Sequence, residues 1–184
     1  MRIISGKWRG RKLQTPAGDT TRPTADRVRE TLFSMLISRL GSFEELRVAD
    51  LFAGSGALGI EAMSRGAASC LFAEVDAAAL RSLRANIAAL QIQSQTDVRA
   101  GSVLALGPVK QPFDLILLDP PYGTSAGGVA LERLIRHGWI GEATWISLET
   151  AHNEVPKIKG LELVVDRKVG KARISLMRLQ ASPD

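Results

Sequence analysis

Short runs of apolar residues alternate along the chain with longer stretches in which apolar residues recur at helical spacing. The apolar runs predict strands at Val48–Ala53, Cys70–Ala73, Asp97–Ala100, Leu115–Leu118 and Trp145–Leu148. Helical spacing predicts helices at Asp26–Leu40, Ile60–Arg65, Ala77–Leu90 and from the glycine-rich Gly123–Gly128 to about His137. Strands and helices that alternate in this way predict a parallel sheet covered by helices on both faces.

The two ends of the chain predict antiparallel pairing. Leu161–Val165 and Ile174–Leu179 are typical of a closing pair of strands that turns through Lys168–Lys171. At the other end, two short extended pieces flank the segment Gly6–Gly10, and glycines at both ends of that segment suit a hairpin. Thr24 is the expected N-cap of the first helix.

The composition is that of an ordinary globular protein, with 45% hydrophobic and 23% charged residues among 184. No apolar stretch is long enough to span a bilayer and the first residues do not open a signal peptide, so we expect a cytoplasmic protein. Cys70 is the only cysteine, which excludes an intramolecular disulfide and an all-cysteine metal site. His137 and His152 lack the spacing of metal ligands, so we expect no metal, and we expect a monomer.

The positive charge is concentrated at the N-terminal end, where residues 1–30 carry the whole formal net charge of +5. A basic patch of this kind is typical of proteins that bind a polyanion, and Trp8 adds an aromatic face for stacking on a base. The candidate nucleic-acid-binding residues are Arg2, Lys7, Trp8, Arg9, Arg11, Arg22, Arg27 and Arg29. A solvated tail and a tryptophan packed on the domain are the alternatives. We divide the chain into a basic hairpin and arm, residues 1–23, and one larger domain, residues 24–184.

The segment Gly54–Gly59 fits the pattern GxGxxG between a predicted strand and a predicted helix. Glycines allow the tight turn and let backbone N–H groups approach a ligand closely. Glu74, at the end of the next strand, is placed where a carboxylate can accept hydrogen bonds from two ribose hydroxyls. The pattern therefore predicts a nucleoside cofactor, either NAD or S-adenosylmethionine.

The segment Asp119–Tyr122, with the sequence Asp-Pro-Pro-Tyr, follows the central apolar strand. Its prolines cannot continue the hydrogen-bond ladder, so the strand ends there, at the edge where open α/β sheets bind ligands. A carboxylate, a backbone carbonyl and an aromatic ring together suit a flat base with an exocyclic amino group. With Asp50, the segment favours an amino-methyltransferase over a dehydrogenase, for whose substrate domain the chain leaves little room. A plain Pro-Pro turn with a partly buried tyrosine is the structural alternative.

Three further segments resemble a known family. Met1–Gly6, Thr21–Glu30 and Asp50–Gly56 are similar to those of the bacterial 16S rRNA guanine-N2 methyltransferases of the RsmD type, which are Rossmann-like S-adenosylmethionine-dependent methyltransferases. The resemblance covers almost the whole chain, and Thr21–Glu30 is its most specific segment. It implies an α/β fold with a doubly wound, seven-stranded, mostly parallel sheet that has one antiparallel strand. It also implies methyl transfer to a guanine amino group in 16S rRNA, within an assembling small ribosomal subunit.

The resemblance assigns roles to the residues of the site. Asp119 and the Pro120 carbonyl would accept hydrogen bonds from the amino group, and Tyr122 would stack on the base. The implied catalytic residues are Asp119, Pro120, Pro121 and Tyr122. The implied S-adenosylmethionine-binding residues are Asp50, Phe52, Gly54, Ser55, Gly56, Glu74, Asp76, Ser102, Val103 and Asp119. Ser102 stands where many relatives carry an acid that accepts a hydrogen bond from the adenine amino group.

Three alternative functions remain open. A DNA adenine-N6 methyltransferase would share Asp119–Tyr122, but it usually carries a target-recognition segment that we do not find. A non-catalytic RNA-binding module would leave the glycine loop unexplained, and a dehydrogenase would leave the basic arm unexplained. The roles of Glu149 and His152, just past the fifth strand, are also open between a cofactor pocket and a loop, and we favour the loop for His152.

Overall fold

The computed structural model describes residues 1–19 and 23–182. At its centre lies a seven-stranded sheet with helices on both faces. The strands are β1 (Arg47–Leu51), β2 (Ser69–Glu74), β3 (Thr96–Ala100), β4 (Leu115–Leu118), β5 (Trp145–Ala151), β6 (Leu161–Val169) and β7 (Ala172–Leu179). The helices are α1 (Pro23–Leu40), α2 (Ala57–Ser64), α3 (Ala77–Leu90) and α4 (Ala126–Arg136).

The strands lie in the order β3-β2-β1-β4-β5-β7-β6. β1 to β5 pair in parallel, and β7 runs antiparallel to both of its neighbours, β5 and β6. This confirms the prediction of a mostly parallel, doubly wound sheet with one antiparallel strand. The strand order reverses between β1 and β4, and ligands of open α/β sheets bind at such a switch point, beyond the carboxyl ends of the strands.

β4 shows why the central strands are apolar at every position. Leu115 and Leu117 face one core cluster, which includes residues of α1, α2 and α3. Ile116 and Leu118 face the other cluster, which includes residues of α4. Because both faces of the strand are covered, all four side chains are at most 1% exposed, and no polar residue could alternate with them.

Some element boundaries differ from the predictions for reasons that lie in the backbone. α1 begins at Pro23, whose fixed φ suits the start of a helix, so Thr24 lies in the first turn and is not the N-cap. β1 ends at Leu51, earlier than predicted, because Phe52 has a φ of 62° that a strand cannot continue. β6 and β7 are longer than predicted and turn through Gly170, which has a φ of 57°.

The N-terminal arm is packed on the domain. Where the sequence predicts a hairpin, the structure has a single antiparallel bridge between Arg2 and Lys12. Ile3 and Leu13 are 2% and 3% exposed and belong to the hydrophobic core. At Gly6 the arm approaches α2 so closely that a Cβ atom would lie 2.0 Å from a carbonyl oxygen of that helix. Part of the arm is therefore a structural element of the domain.

Glu61 of α2 is fully buried and holds the arm in place. Its carboxylate accepts hydrogen bonds from the backbone N–H groups of Ile4 and Ser5, at 2.8 and 3.0 Å. The guanidinium groups of Arg29 and Arg65 lie 3.7 and 3.0 Å from the same carboxylate. Two cations and two backbone donors thus compensate the buried charge, which would otherwise be costly.

Candidate active site

A cavity of about 710 Å³ opens at the carboxyl ends of β1 and β4. Its wall is formed by the glycine loop, the ends of β4 and β5, the start of α1 and the turn between β6 and β7. The predicted catalytic and cofactor-binding residues that line it are Asp50, Phe52, Gly54, Ser55, Asp119 and Tyr122. Pro120 and Pro121 line a smaller neighbouring pocket of about 130 Å³ that shares Tyr122 with the cavity. The fold therefore brings the two halves of the predicted site, which are far apart in the sequence, into one cavity at the switch point of the sheet.

The glycine loop turns sharply between β1 and α2. Phe52, Gly54 and Gly56 have φ values of 62°, 60° and 88°, so every second residue is in the left-handed region. This conformation is unfavourable for a residue with a side chain, and such strain is often found at functional sites, as at Phe52 here. A Cβ atom at Gly54 would meet no atom within 4 Å, so the loop leaves open space at that position.

The last glycine of the loop has a packing role. A Cβ atom at Gly59 would lie 2.5 Å from the Phe72 ring and 2.6 Å from the Cys70 sulfur. The absence of a side chain therefore lets α2 lie directly against β2. Gly54 leaves space for a ligand and Gly59 allows close helix–strand packing. Glycines have the same two roles in dinucleotide-binding turns.

Asp50 anchors the loop from within the domain. Its carboxylate accepts a hydrogen bond from the Gly59 N–H at 2.9 Å, and the residue is 1% exposed although it borders the cavity. Burial raises the pKa of Asp50 to about 8, and the charge of Glu74 adds to the rise while the Gly59 hydrogen bond opposes it. A cation in the cavity would favour the ionised form of this buried acid.

Glu74 and Asp76 order the chain at the end of β2. One carboxylate oxygen of Glu74 accepts a hydrogen bond from the Gly54 N–H, and the other accepts from the N–H groups of Val75 and Asp76, all at 2.8 Å. Asp76 is the N-cap of α3 and accepts a hydrogen bond from the Ala79 N–H. Glu74 is thus joined to the glycine loop, but neither acid lines the cavity, and their binding of a cofactor stays a prediction.

The other predicted cofactor-binding residues also lie outside the cavity lining. The Ser102 hydroxyl oxygen accepts a hydrogen bond from the Leu104 N–H and caps a short 3-10 turn, while Val103 is buried in the core. Gly56 packs against α3, where a Cβ atom would lie 2.4 Å from Leu83. A contact between this region and an adenine ring stays a prediction.

Asp119, Tyr122 and Glu149 form a cluster of polar side chains on one wall of the cavity. The Tyr122 hydroxyl donates a hydrogen bond to Glu149 Oε1 at 2.6 Å, while the residue as a whole remains 45% exposed. Parallel pairing of Leu118 with Leu148 places Asp119 and Glu149 side by side, each directly after the paired leucine. An aromatic face and two carboxyl groups are therefore presented together.

The carboxyl groups of Asp119 and Glu149 lie within hydrogen-bonding contact of each other. Asp119 is exposed to the solvent of the cavity, yet the protein around it removes much of its hydration. This desolvation, and then the charge of Glu149, raise the pKa of Asp119 well above its usual range. Desolvation and the hydrogen bond to Glu149 also raise the pKa of Tyr122, which is therefore a protonated donor at neutral pH. The cluster is suited to receiving N–H donors or a cation.

Glu149 is the residue of the site whose role the sequence left open. The sequence does contain the relevant signal, because Asp119 and Glu149 each follow the last leucine of an apolar run, and such runs pair as neighbouring strands. His152 lies in the exposed turn after β5, outside the cavity lining, as we favoured.

The predicted nucleic-acid-binding residues are found in different environments. Those exposed to solvent are Arg2, Lys7, Arg9, Arg11 and Arg27. Trp8 is half-buried against the core, and the Lys7 ammonium lies 4.6 Å from its ring centroid. Arg29 is 5% exposed and its guanidinium lies 3.7 Å from Glu61, but it also borders the cavity, so its binding of a phosphate stays a prediction. Arg22 lies outside the described residues.

Residues 1–19 and 23–182 contain neither a candidate metal site nor a helix that could span a membrane. Within them, no three His, Cys, Asp or Glu side chains are grouped so that they could hold a metal ion. No helix in this part of the chain has the length and apolar character needed to cross a membrane.

Comparison with known proteins gives consistent matches over most of the chain. The model of the family described as "Conserved hypothetical protein 95" matches residues 1–178. The "Ribosomal RNA small subunit methyltransferase D" of Escherichia coli is 37% identical over 159 residues, which cover 86% of this chain and 79% of that protein. The protein of the same name from Haemophilus influenzae is 40% identical over 154 residues, covering 82% and 78%.

Solved structures match the whole fold. The "Putative methyltransferase yhhF from Escherichia coli" superposes with a TM-score of 0.85 at 34% identity and covers 99% of both chains. The magnesium protoporphyrin IX methyltransferase of Synechocystis, solved with bound S-adenosylmethionine, has a TM-score of 0.65 at 14% identity, covering 88% of this chain and 86% of that one. The second likeness concerns the fold alone.

Proposed function

The chain belongs to the family of RsmD-type small-subunit rRNA methyltransferases, and on this basis we propose that it transfers a methyl group from S-adenosylmethionine to the exocyclic N2 amino group of a guanine in 16S rRNA. The observation that carries the proposal is the position of Asp119 and Tyr122, in the same cavity as the glycine loop. Residues 1–23 are the RNA-contacting arm and residues 24–184 the catalytic domain. The enzyme acts as a monomer, on an assembling small ribosomal subunit in the cytoplasm.

The residues of the cavity fit S-adenosylmethionine. Its volume of about 710 Å³ is in the range of cofactor sites, and Gly54 leaves the backbone accessible. Asp50 and Asp119 provide acidic groups for a cationic ligand. The Gly54–Gly56 turn would hold the methionine part and Glu74 the ribose. When bound, the cofactor supplies an electrophilic methyl group on a positively charged sulfonium.

The end of β4 supplies the groups that orient the amine. The lone pair of a guanine amino nitrogen is conjugated with the ring, so the amine is a poor nucleophile. Asp119 and the Pro120 carbonyl would accept hydrogen bonds from the two N–H groups and direct the lone pair toward the methyl group. Tyr122 would stack on the base, which must first be splayed out of its helix. Positioning of this kind contributes up to roughly 7–11 kcal/mol in well-oriented reactions.

The exposed cations would bind the RNA backbone. Lys7, Arg9 and Arg11 are on the arm, while Arg27 and Lys171 lie at the cavity itself, on α1 and on the turn between β6 and β7. Phosphate contacts by such residues make affinity fall with salt concentration. We expect the double substitution of Lys7 and Arg9 by alanine to weaken RNA binding and to reduce its salt dependence, with S-adenosylmethionine binding unchanged. Equal RNA affinity in the variant and the wild type would contradict the role of the arm.

The site assignment is tested by Asp119→Ala. We expect the variant to fold and to lose methyl transfer to small-subunit rRNA. Asp97→Ala is the matched control, because Asp97 is an exposed carboxylate at the start of β3, far from the carboxyl ends of the strands. It should transfer methyl groups like the wild type. Full turnover by Asp119→Ala would exclude this assignment.

A further inference from the structure

The Glu149 carboxylate can accept hydrogen bonds that are not needed to hold an amino group during methylation. Asp119 and the Pro120 carbonyl already provide acceptors for the two N–H groups of the amine. Glu149 lies beside Asp119 and lines the same cavity, so a third strong acceptor faces the same base. The other acids near this wall have backbone partners: Asp50 accepts from the Gly59 N–H, and Glu154 accepts from the Gly123 N–H.

The position of Glu149 is fixed by Tyr122. The Tyr122 hydroxyl donates to Oε1 at 2.6 Å, and the Asp119 side chain is in hydrogen-bonding contact with the same carboxylate. A carboxylate has about four acceptor positions, so these two contacts leave about half of them free. If Tyr122 stacks on the target base, the carboxylate bonded to its hydroxyl lies near the edge of that base. A guanine presents one further donor next to its amino group, the N1–H of the ring. Adenine has a bare acceptor nitrogen at its own N1, so it would face the carboxylate with a lone pair.

We propose that Glu149 accepts a hydrogen bond from the N1–H of the target guanine and thereby selects guanine, while Asp119 and Pro120 hold the amino group. The inference rests on the proposed function and adds the residue that reads the base. Asp119 and the Pro120 carbonyl would then accept from the two N–H groups of the guanine amino group, and Glu149 would accept from its N1–H. With adenine in the site, the lone pair of N1 would face the negatively charged Glu149 carboxylate with no hydrogen between them, which is unfavourable.

The test compares guanine with 2-aminopurine at the target nucleotide. The position that the wild-type enzyme methylates is mapped first, and RNA with either base at that position is then prepared. 2-Aminopurine keeps the 2-amino group, but its N1 carries no hydrogen. A hydrogen bond to a charged acceptor corresponds to about a tenfold to hundredfold preference. The wild type should therefore prefer guanine in kcat/KM by at least about tenfold.

Glu149→Gln supplies the decisive comparison. The amide of glutamine can donate a hydrogen bond to the bare N1 of 2-aminopurine, so the preference should fall to about one or reverse. Glu149→Asp retains a carboxylate and should retain a preference for guanine. Tyr122→Phe removes the hydroxyl that positions Glu149 but keeps the carboxylate, so in this variant the preference for guanine should weaken without falling to one.

Each contrary result has a separate meaning. An unchanged preference in Glu149→Gln, with both substrates slowed equally, would show that Glu149 only positions Tyr122 and would overturn the inference. A wild type without preference would overturn it even if Glu149→Gln failed to fold. Failure of the wild type to form N2-methylguanosine at all would overturn the proposed function, and the inference with it.

Discussion

Asp50→Asn should make the ligand-free protein more stable at neutral pH, by an amount that depends on pH. Folding raises the pKa of Asp50 from 3.8 to about 8, so between these values the folded protein binds one more proton than the unfolded chain. The free energy of unfolding therefore falls as pH rises, by about 1.4 kcal/mol per pH unit. From pH 5 to pH 7 the wild type loses roughly 2.7 kcal/mol through this group. Asparagine has the same shape, keeps an acceptor for the Gly59 N–H, and takes up no proton.

Urea unfolding at pH 5, 6, 7 and 8 measures this effect. The free energy of unfolding of Asp50→Asn minus that of the wild type should increase through the series and level off above about pH 8. Asp97→Asn is the control, since a change at an exposed carboxylate should stay within about 0.5 kcal/mol. A difference that is constant between pH 5 and pH 8 would refute the raised pKa. The gain in stability should be accompanied by weaker binding of S-adenosylmethionine, because an amide cannot balance a sulfonium charge.

The remaining predictions concern the attachment of the arm. Gly6→Ala should lower the free energy of unfolding by about 3 kcal/mol, because its Cβ would lie 2.0 Å from the Ser64 carbonyl oxygen. Gly10→Ala, with a similar positive φ but open space, should cost only about 1 kcal/mol in the same urea experiment, and equal effects would count against the close approach. Glu61→Gln removes the charge that compensates two arginines and should destabilise by roughly 3 kcal/mol, whereas Glu30→Gln on the exposed face of α1 should have little effect. An unaltered urea midpoint for Glu61→Gln would contradict its anchoring role.

Local patterns in the sequence were enough to predict the order of elements and the glycine turn. Apolar runs mark buried parallel strands, and the prolines at 120 and 121 mark where β4 ends. The antiparallel pairing of the last two strands was predicted from the sequence pattern, the seven-stranded sheet and the family were implied by resemblance, and all three are confirmed. The backbone conformation of the glycine loop could not be predicted from local patterns, because the left-handed φ of Phe52 depends on how the whole loop is folded.

Long-range partners account for what the sequence did not reveal. No local pattern indicates that Arg29 forms an ion pair with the buried Glu61 of α2. The burial of Ile3 and Leu13 likewise depends on where the arm packs, so a basic tail in the sequence is partly core in the structure. The pairing of Glu149 with Tyr122 requires knowledge that β4 and β5 are neighbours.

The central claim is tested most directly by identifying the methylated nucleoside. S-adenosylmethionine with a labelled methyl group is offered to naked 16S rRNA, to small subunits that lack the modification, and to DNA, and the products are digested to nucleosides. We predict label in N2-methylguanosine from rRNA or subunits, and none with the Asp119→Ala variant. Label in N6-methyladenine of DNA, or no label in any of the three substrates by a protein that binds the cofactor, would contradict the proposed function.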